Sequence, residues 1–184
     1  MFEIKFRIIE NDVELKKISS AEFDEKYGQI TGFMQIDFGN DYEGSYYHEN
    51  PLQKGESGSE LLDYWFQHLF NACKHLKKND YIAFLELGRH NRWIEFRYSD
   101  NDVIISLAMD NKSEITDLEI TKDEYHLQYD TKFVVDSRLF FEEIERAGVK
   151  FVKELYDINP EILNSKMFKL MNNDFIKIGD ICEN

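Results

Sequence analysis

Basic charge, cysteine and proline are all scarce in this chain of 184 residues, which sets 22 Lys and Arg against 36 Asp and Glu and holds two Cys and two Pro. The formal charge of −14 removes the electropositive footprint that nucleic acid or an anionic membrane requires, so neither is an expected partner. Cys73 and Cys182 cannot build a disulfide scaffold, and neither has a second Cys or a His at metal-ligand spacing. That usage fits a reducing, cytoplasmic setting. The longest strongly apolar run, residues 103–109, falls far short of the ~20 residues that cross a bilayer. Met1 is followed at once by an alternating pattern, which leaves no room for a secretory leader. No Pro-, Gly- or Ser-rich linker interrupts the chain, so one globular domain spanning 1–184 is expected.

What the chain does hold is apolar mass and unevenly placed acid. Its 15 Phe and 10 Tyr lift the aromatic content to 15%, enough buried surface to offset the entropy of ordering despite 32% charged residues. Residues 37–63 carry seven acids and one base, and residues 110–130 carry seven acids and two bases, so these two stretches supply most of the net charge. A surface of this kind suits a basic protein partner or a cation.

Hydrophobic periodicity outlines the elements. Phe2, Ile4, Phe6 and Ile8 alternate with Glu3, Lys5 and Arg7, and Ile30 to Phe38 alternates likewise, giving two strands. The stretch between them shows no clear pattern. Asp37 to Ser57 reads as a long loop rich in Gly and Asx residues. Ser57 with Glu60 forms a capping-box spacing ahead of Leu62, Trp65, Phe66, Leu69, Phe70, Cys73 and Leu76, which predicts a helix over about 59–78. Strands are expected at 81–87, 92–98 and 103–109, joined by turn-rich tetrapeptides, with further strand pattern at 114–120, 125–129 and 133–135. Asp136 or Ser137 caps a second long helix through Leu155, and Asn159-Pro160-Glu161 opens a short third one. Antiparallel strands plus segregated helices make an α+β fold, mainly a meander sheet with helices on one face and the other face wet.

Recognisable chemistry is sparse. There is no nucleophile elbow, no H-E-x-x-H, no Walker loop and no cofactor fingerprint, so no catalytic residue, cofactor or metal is assigned. Tyr64, His68, Asn71 and His75 line up along the first long helix, but a solvated flank explains them more simply. Arg89, Arg92 and Arg97 around the Gly88–Arg92 turn could hold an anion, the basis of an alternative reading as a small-molecule-binding or hydrolytic enzyme; an ordinary hairpin tip is the simpler account. Asp37, Asp41, Glu43 and Glu49 lack the ligand order of a calcium loop. The most distinctive constellation is acidic and aromatic together: Asp41, Tyr42, Glu43, Tyr46, Tyr47 and Glu49, with a second acidic set at Asp117, Glu119, Asp123 and Glu124. Tyrosines offer rigid contact area, and carboxylates complement Lys or Arg on a partner.

The acidic charge, the size and the order of elements, including the helix that opens Gly58-Ser59-Glu60-Leu61-Leu62-Asp63-Tyr64-Trp65-Phe66 and the closing Phe151-Val152-Lys153-Glu154-Leu155-Tyr156, resemble small immunity proteins of bacterial polymorphic-toxin systems. The resemblance implies a non-enzymatic inhibitor whose acidic surface, made of the partner-binding residues just named, occludes a basic toxin domain.

Overall fold

The computed structural model describes residues 2–9, 15–39, 41–44, 47–54, 56, 58, 60–89, 91–110, 117–123 and 127–171. The chain divides into two compact units, one comprising Met1–Phe70 with Glu143–Asn184 and the other Asn71–Glu142. Antiparallel sheets and helices confirm the α+β class, but the strands form two sheets, one in each unit, where the sequence pattern suggests one.

In the first unit, β1 (Phe2–Ile8) pairs with β2 (Thr31–Phe38), which pairs in turn with β3 (Asp41–Gly44) and, at its other end, with β4 (Glu60–Leu61). The register Ile4↔Ile36 and Phe6↔Met34 puts the apolar residues on one face, while Glu3↔Asp37 and Lys5↔Gln35 fall on the polar one. Helix α1 (Ser20–Lys26) lies in the stretch that shows no clear pattern. Ser19 caps it, accepting from the Glu22 amide, and the Glu22 carboxylate answers on the Ser19 amide. Helix α2 (Leu62–Leu76) starts later than its periodicity predicts because Glu60 and Leu61 are spent on β4. Ser57 lies outside the described residues; the first helical amide, Leu62, instead donates to the Ile30 carbonyl. Glu60 accepts from Trp65 Nε1 at 2.7 Å, and buried Asp63 accepts from the Ile30 amide at 2.8 Å. Phe6, Phe66 and Phe151 form an aromatic centre under the apolar face, with Phe66 and Phe151 stacked at 4.4 Å.

Helix α3 (Ser137–Ile158) begins as predicted, Asp136 accepting from the Leu139 amide. Its Glu143 and Arg146 close the outer edge of β1: the Ile4 amide donates to Glu143 Oε1 at 2.6 Å, and Arg146 Nη2 donates to the Ile4 carbonyl at 3.0 Å. Two side chains thus take the place of a neighbouring strand, which blunts an edge that could recruit another chain. Replacing both with alanine is expected to cost about 1–3 kcal/mol, the penalty of orphaned polar groups, and to introduce concentration-dependent association. Urea unfolding and light scattering check the pair of effects; an unchanged midpoint with no association contradicts the capping role. After α3, Asn159 caps a 3-10 turn, Pro160–Asn164, and its Nδ2 donates to the Leu15 and Ile18 carbonyls. Residues 166–171 are helical again.

The second unit is a five-stranded sheet in the order β8-β5-β6-β7-β9, with β5 (Tyr81–Leu85), β6 (Arg92–Ser99), β7 (Asp102–Met109), β8 (Glu119–Ile120) and β9 (Gln128–Asp136). The three central strands sit where the alternation places them. Residues 128–136 form one strand rather than two, with a register shift in which Leu107 and Ala108 pair with Thr131 and Tyr129 and Asp130 is the extra residue. The expected strand at 114–120 lies partly outside the described residues and is seen only as β8.

The expectation of a wet sheet face fails here. Trp93, Ile94, Glu95 and Phe96 are buried in succession, so both faces of β6 are covered. One face carries Phe84 and Phe96, stacked at 5.6 Å, with Phe140 of α3 beyond. The other holds a separate cluster of Tyr81, Ala83, Trp93 and Ala108, to which Ile120 and Leu127 contribute. Strict alternation in a strand does not tell a solvent-facing side from one roofed by a connecting segment. Among the described residues, no helix is long and apolar enough to cross a membrane.

Candidate functional site

The period of two along β3 decides the fate of the acidic constellation. Glu43 stands opposite Ile36 and so shares the apolar face, whereas Tyr42 stands opposite Asp37 on the polar face. Glu43 is accordingly only 4% exposed and Tyr42 59% exposed. The expectation that Glu43 belongs to an outward acidic surface is therefore corrected: strand parity turns it inward. Asp41 is exposed at the start of the strand, opposite Phe38. Tyr46 lies outside those residues.

Tyr47 and Glu49 follow on a segment laid over the polar face. Arg7 ties it down by donating to the His48 carbonyl at 3.2 Å and the Asn50 carbonyl at 2.6 Å. The His48 ring packs on Phe33 at 5.1 Å, with its Nε2 2.6 Å from Glu56. Tyr47 donates to Glu49 Oε1 at 3.0 Å. Partial burial first, and the hydrogen bond to Glu49 second, hold the Tyr47 hydroxyl above its ordinary pKa. Nearby on the same face, Lys5 meets Asp37 at 2.6 Å, and that hydrogen bond raises its ammonium pKa.

Tyr47 and Glu49 form one wall of an open groove of about 520 Å³, with Phe6, Ile158, Lys16, Lys150, Glu154 and Asp157 among the others. Its charges are mixed, but they are not equally available. Arg7 is held by the two carbonyls just described. Lys150 lies 3.6 Å from Glu154 and over the Phe6 ring at 4.9 Å. That leaves Lys16 and Asp157 on the walls, above a floor that is apolar at Phe6 and Ile158.

The second acidic set lies in the other unit and is largely used internally. Asp123 accepts from Arg97 at 2.9 Å and Glu119 from Asn71 at 3.2 Å, while Asp117 is exposed. Glu124 lies outside the described residues. The arginines proposed for an anion are similarly committed. Arg89 and Arg92 lie 3.0 and 3.3 Å from the buried Glu86 carboxylate, and Arg97 bridges Glu95 and Asp123. An incoming anion would have to displace carboxylates already buried against these guanidinium groups, which weighs against the anion-site alternative. The Tyr64 to His75 row is not a solvated flank throughout: His68 is buried, its ring 4.1 Å from that of Tyr64.

Sequence reading missed two features. Glu95 is buried inside a strand, where alternation gave no sign of it, and the Glu143–Arg146 pair reaches a backbone more than a hundred residues away. Among the described residues, no group of three or more His, Cys, Asp or Glu is arranged to hold a metal ion. No family model, no curated protein and no solved structure matches the chain.

Proposed function

We propose that this is a non-enzymatic acidic binding protein, an immunity-like inhibitor that masks a basic surface on a toxin domain. The observation that carries this reading is the surface around the first sheet: Tyr42 exposed on its polar face, Asp41 exposed where β3 begins, and Tyr47 and Glu49 at the lip of a groove whose Arg7 and Lys150 are engaged internally. Tyr42 and Tyr47 supply the rigid area that becomes desolvated on contact, and Asp41, Glu49 and Asp157 offer acceptors to partner Lys or Arg. The charge of −14 adds long-range attraction for a basic surface. Asp117 contributes to that field from the second unit.

The test begins with capture from the native cell, followed by co-expression to ask whether the protein suppresses the toxicity of what it captures. An Asp41→Lys/Glu49→Lys variant is expected to associate about ten-fold more slowly than the parent at low salt. A captured partner that is acidic, or whose toxicity is unaffected by co-expression, rules the reading out.

A further inference from the structure

Within the second unit, one face of the sheet buries more polar chemistry than partners among the described residues satisfy. Glu95 of β6 is 1% exposed, stands directly opposite Ser106 of β7 and lies diagonal to Tyr81 of β5, which pairs with Arg97. All three side chains therefore point to the same side. Glu95 Oε2 accepts from Tyr129 at 2.9 Å and from Arg97 at 3.5 Å. Ser106 is 0% exposed and Tyr81 3% exposed, and among the described residues neither the Ser106 Oγ nor the Tyr81 hydroxyl has a partner at full hydrogen-bond geometry. Burial, and after it the Glu95 charge, push the Tyr81 hydroxyl well above its ordinary pKa, so it stays protonated and able to donate.

An unsatisfied buried hydroxyl costs about 1–3 kcal/mol, and two of them on the same side of the sheet as one buried carboxylate have a common answer. The groups supply two hydroxyls, each able to donate and accept, and one anionic acceptor. No ion fits that set: a cation would find only one carboxylate, already held by Arg97, and an anion would meet Glu95. A neutral molecule that donates and accepts in several directions fits, and the smallest is water, which is stably held when it has 2–4 polar partners.

We propose that Glu95, Ser106 and Tyr81 hold an ordered internal water molecule that joins the two hydroxyls to the carboxylate. The water completes a chain running from the sheet interior through Glu95 and Arg97 to Asp123, and so anchors the segment that carries Asp123.

A high-resolution crystal structure of the full chain is expected to show density within hydrogen-bond distance of Ser106 Oγ and Glu95, and NMR should show a long-lived water cross-relaxing with these groups. In solution, Ser106→Ala and Tyr81→Phe should be coupled, the unfolding constant of the double variant departing by about two-fold or more from the product of the single effects. Density that instead shows the Ser106 hydroxyl turned onto a main-chain carbonyl with no water beside Glu95 overturns the proposal, as does strict independence of the two substitutions. Should a variant fail to fold, the parent's crystal structure and NMR spectrum decide the matter alone.

Discussion

Replacing Phe151 with alanine is expected to remove about 3–5 kcal/mol of stability, the cost of emptying a large aromatic site in a closed core. Phe151 of α3 stacks on Phe66 of α2 at 4.4 Å and meets the Phe6 ring of β1 edge-on at 5.7 Å, and all three are fully buried. The ring touches two elements from distant parts of the chain, so neither can collapse into the void without losing its own contacts. Beyond its area, the ring contributes two aromatic contacts of favourable geometry, about 0.5–1.5 kcal/mol each. Leucine at 151 should recover most of the volume and none of the stacking, leaving a smaller loss. Urea midpoints for the alanine and leucine variants check this; a cost below about 1 kcal/mol for alanine would mean that the aromatic centre is not a closed core.

The second large effect comes from a change that adds only one carbon. Gly32→Ala is expected to cost about 2–3 kcal/mol, at the upper end of overpacking penalties. A Cβ at Gly32 would land on the Arg7 carbonyl oxygen of the paired strand and 2.6 Å from Leu62 Cδ1. Leucine can change rotamer, but Arg7 is fixed twice, by β1–β2 pairing through its backbone and by its side chain's grip on the 48–50 carbonyls. A Cβ at Gly58 would in turn land on the Gly32 backbone, so that strand is closely approached from more than one side. Relief would have to come from moving β1 away from β2, and with it the segment that carries Tyr47 and Glu49. The variant should therefore lose stability and partner binding together. A midpoint equal to the parent's would show that the strands part freely.

Much of the fold is legible in the sequence because local signals and tertiary outcome agree. The β5–β7 meander and both long helices follow their periodicities, and Asp136 caps α3 where a capping residue is expected. The failures have distinct physical causes. The S-x-x-E spacing that marks a helix start occurs at Ser19–Glu22, where it caps α1, and at Ser57–Glu60, where Glu60 is drawn into β4 by pairing with Gly32. Local chemistry is the same at both places, and a long-range strand decides between them. Strand β3 is short, holds Gly44 and sits among turn residues, so nothing local distinguishes it from loop, yet its parity governs which acids face outward. The candidate surface was legible in part: composition draws attention to residues 41–49, but only the register with β2 separates Tyr42 from Glu43. Glu95 was not legible at all, because a charged residue within an alternating strand reads as solvent-facing until its side of the sheet is seen to be buried with Tyr81, Trp93 and Ile120.

The most direct test of the docking surface is the association rate with the captured partner, measured across ionic strength for the parent and for Asp41→Lys/Glu49→Lys. Steering by the acidic surface predicts a parent rate that falls steeply as salt rises, and a variant that starts lower and falls less. Identical rates and identical salt slopes for the two proteins would contradict it.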